Sequence, residues 1–220
     1  TMTVDQANAF AFKIDDIEER HSHVNFEALA TSSGAFSLKR AYDASVLQVM
    51  ADGAGITGTN IGTAGSPVDI TGDGNADVAR ELDDNSVPEE NRWFVAPPIF
   101  YETAFKAGAK FAEVQVTGDA TTPLRNGLVM QGNIAGFNCY KSTALNNSGT
   151  DVVTLSGQDT TNDFVIMAGH MSSTATASHI AKTEVVRSTE TFSDIVRGLH
   201  VFGRKVLRPE ALAVGVVKTD

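Results

Sequence analysis

Cysteine is nearly missing from this chain. Cys139 stands alone among 220 residues, so no internal disulfide can form and no cysteine-built zinc site is available. It reads as a small core residue on a strand rather than a nucleophile. Positive charge is also scarce, with 17 basic against 27 acidic residues and a formal net charge of −10. A protein that grips nucleic acid by its phosphates needs a basic face. No run of Lys and Arg interleaved with aromatics occurs, which argues against tight nucleic-acid binding but not against enclosing DNA. Long apolar runs are missing too, and none approaches the roughly 18 residues needed to span a bilayer. The opening Thr1–Phe10 has no basic stretch followed by an apolar one, so no secretory signal is read there, and a cytoplasmic site of folding is expected.

The motifs of common enzyme chemistry are equally scarce. There is no nucleophile elbow of the G-x-S-x-G type, no Walker-type phosphate loop, and no dinucleotide fingerprint placed between a strand and a helix. Five histidines, His21, His23, His170, His179 and His200, show no H-E-x-x-H spacing. His21 and His23 lie two apart on an expected helix and point to different faces. No catalytic residue and no cofactor site is assigned. One metal candidate stands out, in Asp69 to Asp77. Alternate oxygen-bearing residues around a glycine turn, with Asp69, Asp73 and Asp77 as ligands, are what a calcium ion requires. The EF-hand pattern is broken at its final position, where Arg80 stands and Glu81 falls one residue late. The same residues also make an ordinary solvated turn.

What is present is the composition of a globular protein, 42% hydrophobic and 20% charged, enough for one sizeable core or two small ones. Val4 to Phe12 alternates loosely and reads as the end of a strand. From Ile14 the period changes. Ile14, Ile17, Val24, Ala28, Ala35, Leu38, Tyr42 and Val49 recur at helical steps, with acidic residues crowding the first turns. A continuous helix to Asp52 would be roughly 55 Å long at ~1.5 Å per residue. Thr31–Gly34 are poor helix formers and mark a place for a kink or hinge. Gly53 to Ser66 reads as an exposed glycine- and threonine-rich loop. A short helix over Ala76–Asp84 follows, and then a turn at Val87–Asn91.

Arg92–Ala96 reads as a buried strand stopped by Pro97-Pro98. Ile99–Ala107 reads as a helix stopped by Gly108. Leu128–Tyr140 looks like a hairpin, with Gly127, Gly132 and Gly136 at turns and close-packing points, and Lys141–Thr150 like a polar loop. A strand at Asp163–Ala168 leads to a small-residue helix around Ser172–Ala181. Lys182 to Val217 then reads as long antiparallel strands. Helices and strands mix without a βαβ rhythm, so the class is α+β.

Three stretches carry a resemblance. Val4 to Phe12, with Asp15-Asp16-Ile17-Glu18 and the helix to Asp52, is one. Val87 to Pro98 is the second and most specific, followed by Asn126-Gly127 and by Gly136 to Ser142. Thr191 to Leu212, with its Arg208-Pro209 step, is the third. Together and in this order they resemble a tailed-bacteriophage major capsid protein. The resemblance implies the Hong Kong phage type of fold. It places residues 1–13 at the end of an extended loop. Residues 14–53 and 182–209 would form a peripheral domain with a long spine helix, and 54–181 with 210–220 an axial domain. It also places an N-terminal arm before the segment that opens here, whose contacts are not assigned.

The implied function is self-assembly through pentamers and hexamers into an icosahedral shell around double-stranded DNA. Scaffolding, portal and decoration proteins are implied as partners, with no membrane and no sequence-specific DNA contact. Assembly would take place in the host bacterial cytoplasm. Alternatives are another virion part, such as a tail-tube or decoration protein, and a calcium-dependent binding module carried by Asp69–Asp77.

Overall fold

Val4–Asp15 alternates small and large side chains, VDQANAFAFKID, and forms strand β1. The computed structural model describes residues 1–21, 26–69, 74–105, 133–134, 136–149 and 151–218. After β1 come helices α1 (Asp16–His21) and α2 (Phe26–Asp52), strand β2 (Val68–Asp69), helix α3 (Gly74–Asp84), strand β3 (Arg92–Ala96) and helix α4 (Pro98–Phe105). Strands β4 (Asn133–Ile134), β5 (Phe137–Lys141), β6 (Asp163–His170), β7 (Thr174–Arg187), β8 (Ser193–Val206) and β9 (Leu212–Lys218) complete the chain. The α+β class is the observed one. Two compact units form, one from Thr1–Val46 with Thr176–Lys205, the other from Leu47–Ala175 with Val206–Asp220. The divisions fall after Val46, Ala175 and Lys205, where the sequence reading put them after Gly53, Ala181 and Pro209.

In the first unit, β1, β8 and β7 make a sheet in that order, with β8 central. β1 runs antiparallel to β8, and Phe10 faces Gly198, Phe12 faces Val196 and Asp15 faces Ser193. The helix packs on one face through two glycines. A Cβ at Gly34 of α2 or at Gly198 of β8 would collide with the ring of Phe10. Farther along the same face Tyr42 meets Phe202 edge-on at 4.8 Å, and His200 lies 5.2 Å from Tyr42 and 5.1 Å from Phe202. Phe202 and Val196 are fully buried there. Arg204 lies over the Phe202 ring at 5.8 Å and its Nε donates to the Ser45 carbonyl at 3.0 Å. This aromatic stack is the core of the unit.

In the second unit a six-stranded sheet runs β2-β9-β6-β3-β5-β4. β3 pairs parallel with β5 and antiparallel with β6, and β6 pairs antiparallel with β9 over seven residues. Phe94, Phe100 and Phe137 stack beside Val78 and Leu82 of α3, with Ile61, Ile166 and Val217 in the same core. Pro98 opens α4 at a position where no N–H is needed, and the Pro97 carbonyl accepts from Phe100 at 3.1 Å. The Gln48 side chain exchanges two 3.0 Å hydrogen bonds with the backbone of Thr154, pinning that loop to α2.

The extent of the first helix and the helix expected after β6 are corrected. Ile14 belongs to β1, helix begins only at Asp16, and Ile17 is 66% exposed, so the expected apolar stripe is divided among β1, α1 and α2. The poor helix formers Thr31–Gly34 lie inside α2, where Gly34 is buried because the Phe10 ring needs the space. Ser172–Ala181 is not a helix. A short 3₁₀ turn at Met171–Ser173 leads directly into β7, where pairing with β8 and the β-branched Thr, Ile and Val outweigh the helical preference of Ala.

Gly53–Ser66 is not simply an exposed loop, because Ile61 is fully buried and Ile56 nearly so. Ile56 bridges Ala213, and Gly62 accepts from the Val216 N–H at 3.1 Å. Gly62 sits at φ +83°, and a Cβ there would overlap the Val216 carbonyl oxygen, which belongs to the backbone and cannot turn aside. Val24, Ala107, Gly108, Gly127, Leu128 and Gly132 lie outside the described residues.

Replacing Gly62 with Ala is expected to lose at least about 2 kcal/mol in urea unfolding, from left-handed strain and backbone overlap together. Gly58→Ala, with open space around its Cβ, should stay within about 0.5 kcal/mol of the parent.

Candidate assembly surface

The stretch Val87–Pro98 has a physical centre in Arg92. Its guanidinium is buried, with residue exposure of 3%. Nη1 pairs with the Asp83 carboxylate at 2.7 Å, Nε donates to the Pro88 carbonyl at 2.9 Å, and Nη2 donates to the Val87 carbonyl. One planar cation thus ties the end of α3, the turn and the start of β3. The turn needs left-handed backbone at Ser86 and Asn91, both at φ +56°, and Asn tolerates that conformation well. The sequence reading singled out this stretch without assigning Arg92 that role.

In the first unit Arg187, near the end of β7, makes a second such clasp. Nη1 reaches Asp16 at 2.7 Å and Asp194 at 3.1 Å, and Nη2 also bonds Asp16. The Asp16 N–H donates to the Phe192 carbonyl at 3.2 Å. α1, β7 and β8 therefore meet at one guanidinium, and the Asp16 N–H adds the turn between the two strands. The Arg187 side chain is half exposed, so solvent screens both pairs and the effect is chiefly to fix geometry. Midway along the sheet, Glu184 takes hydrogen bonds from Lys182 at 2.7 Å and from Arg197 Nε at 2.6 Å. The Lys182 hydrogen bond first, and Arg197 after it, hold the Glu184 carboxyl below the usual carboxylate range.

Among the described residues the chemical candidates are not gathered into one cluster. Asp69 ends β2, Asp77 lies in α3 at 3.8 Å from Arg80, and Asp73 falls outside the described residues. His23 is also outside them. His170 Nδ1 accepts from the Ser172 N–H at 3.2 Å, and His200 Nε2 lies 2.9 Å from the Ser178 hydroxyl. Each of these two histidines thus serves a local turn or strand contact. Cys139 is half-buried on β5, and its Sγ lies 3.8 Å from the Phe137 carbonyl. Among the described residues no group of His, Cys, Asp and Glu is placed to hold a metal ion, and no helix is long and apolar enough to cross a membrane. Charge-fixed strands and exposed apolar side chains, including Phe192, Ile17 and Phe36, are what the surface offers. Such features suit contact with other protein surfaces.

The family of phage capsid proteins matches residues 1–215. The chain belongs to that family. A search of curated protein sequences finds no match. Among solved structures, one from Mycobacterium phage Che8 is 28% identical, at a TM-score of 0.78 over 97% of this chain and 71% of its own. The mature capsid of bacteriophage PhiM1 is 15% identical, with a TM-score of 0.66 over 99% of this chain and 72% of its own. A virus-like particle from Pyrococcus furiosus is 14% identical, with a TM-score of 0.59 over 96% and 75%. These last two likenesses show the fold alone. The α+β architecture is that of phage capsid shells, and the protein is a major capsid protein of the virion whose copies associate into capsid oligomers.

In this capsid protein, Arg92→Leu is expected to lose about 2–4 kcal/mol of unfolding free energy, since the Val87 and Pro88 carbonyls lose their donor. Asp83→Asn, at a half-exposed partner, should cost less than about 1 kcal/mol. The lowered Glu184 pKa means that the unfolded chain binds more protons between the folded and unfolded values. Any stability from this trio is therefore present at neutral pH and lost as pH falls through the folded value. Replacing Arg197 with Ala should raise the Glu184 titration midpoint, read by carboxyl NMR.

Proposed function

We propose that this protein builds, through pentamers and hexamers, the icosahedral shell that encloses the double-stranded DNA of a tailed bacteriophage. The observation that carries this reading is the family match over residues 1–215, joined to an architecture shared with phage capsids over nearly the whole chain. We assign the first unit, with α2 as its spine and the β1-β8-β7 sheet, to the peripheral position, and the second to the axial position around the symmetry axes. Assembly would proceed in the host cytoplasm with scaffolding, portal and decoration proteins as partners.

The role is structural rather than catalytic, since shell closure requires only many modest contacts whose summed free energy holds the particle together. A net charge of −10 suits a container, because a lining that does not grip phosphates lets DNA move during packaging. Asp69–Asp77 remains a calcium proposal, read by whether millimolar calcium raises the melting temperature. Electron microscopy of the purified full-length protein tests the main reading. Closed shells of uniform size, or regular pentamers and hexamers, are expected; open tubes or stacked rings would overturn it in favour of a tail-tube role.

A further inference from the structure

The β1-β8-β7 sheet carries two unlike patches. At one end Phe192, in the turn between β7 and β8, is 82% exposed, and Ile17 beside it on α1 is 66% exposed. The Asp16 N–H on the Phe192 carbonyl and the Arg187 clasp hold both on a fixed mount. Among the described residues next to this apolar knob in the chain are four carboxylates, Asp15, Asp16, Glu190 and Asp194, and the Arg187 guanidinium that pairs with two of them.

Farther along lies an open depression lined by Ala9, Ala11 and Leu199, with Lys182, Glu184 and Arg197 at its rim. Direct pairing of Ala9 with Leu199 and of Ala11 with Arg197 sets these four on the face opposite the Phe10 ring and α2. Two small side chains leave the backbone low there. The rim has two cations and one carboxylate, so its charge is opposite to that of the knob.

We propose that the Phe192–Ile17 knob of one copy seats in the Ala9–Ala11–Leu199 depression of a neighbouring copy, acidic surround against basic rim. This deepens the shell-forming reading and rests on it. A chain cannot satisfy itself, because six residue steps along the paired strand lead from Phe192 to Gly198, about 20 Å of rigid sheet. A second copy is the occupant the surface fits, since both complementary patches lie on one chain that functions in many copies. A contact between two different patches is heterologous, and its repetition about an axis closes a ring.

Two variants separate the partners of this contact. Phe192→Asp spoils the knob and keeps the depression, while Ala11→Trp fills the depression and keeps the knob. Both positions are exposed, so circular dichroism and melting should match the parent. Each variant alone should raise the subunit concentration needed for assembly at least about tenfold, as loss of a central apolar anchor does. Mixed, the two should form a one-to-one complex in sedimentation velocity that neither forms alone.

Shells formed by Phe192→Asp at the parent concentration, or a mixture that stays monomeric, overturn the contact while leaving the capsid reading in place. Pairing in the mixture by a parent chain that forms only open tubes supports the contact and overturns the shell.

Discussion

A strand buried on both faces can leave neither edge unpaired, and β9 is such a strand. Leu212 to Val217 are all buried, in a near-continuous apolar run of the kind that lies at the centre of a sheet. Each of its N–H and C=O groups must find a partner away from water. β6 supplies one edge over seven residues. The other edge has no long strand, and the chain satisfies it piecewise, with Ile56, Gly62 and then Val68–Asp69. Two glycines of the 53–66 stretch, Gly55 and Gly62, let backbone lie against backbone. Gly55 approaches the Pro209 carbonyl, and Gly215 lies against Ile61 in the same way as Gly62 lies against Val216. Once the loop is laid down, Ile56 and Ile61 drop into the core beside α3.

The first unit solves the opposite problem. Among the described residues its sheet is covered by α2 on one face, through Phe10 wedged between Gly34 and Gly198 and through the Tyr42–His200–Phe202 stack. Its other face carries small residues and ion pairs, and its tip carries an exposed phenylalanine. Such ion pairs add little to folding in water. They do hold side chains in one arrangement, and a surface that must meet many identical partners needs a constant shape. Modest contacts repeated many times give a shell that is stable as a whole while single contacts remain reversible.

Much of the fold was legible where local chemistry dominates. Arg92–Ala96 is a short apolar run stopped by two prolines, and the strand ends at Ala96. Asp163 onward is an apolar run bounded by turn residues, and β6 begins there. The misreadings share a cause. Thr174–Arg187 mixes Ala, which favours helix, with Thr, Ile and Val, which favour strand, and the choice falls to β8 alongside it. The helical spacing from Ile14 was real in the sequence, but the pairing of β1 with β8 extends to Asp15 and claims that residue first. At the candidate surface, the link from Arg187 to Asp16 spans 171 positions, and no local pattern announces it.

The sequence alone determined the absence of a disulfide, the acidic balance, the strands and turns with strong local determinants, and a collinear resemblance to capsid proteins. Each follows from residue chemistry that acts within a few positions or from their order along the chain. The tertiary structure alone decided that a glycine-rich loop would complete a sheet edge, that Gly34 would serve packing within α2, and that Arg187 would gather three elements beneath an exposed Phe192. These depend on which distant backbones meet. That meeting is settled by the demand that buried polar groups and apolar faces all find partners at once.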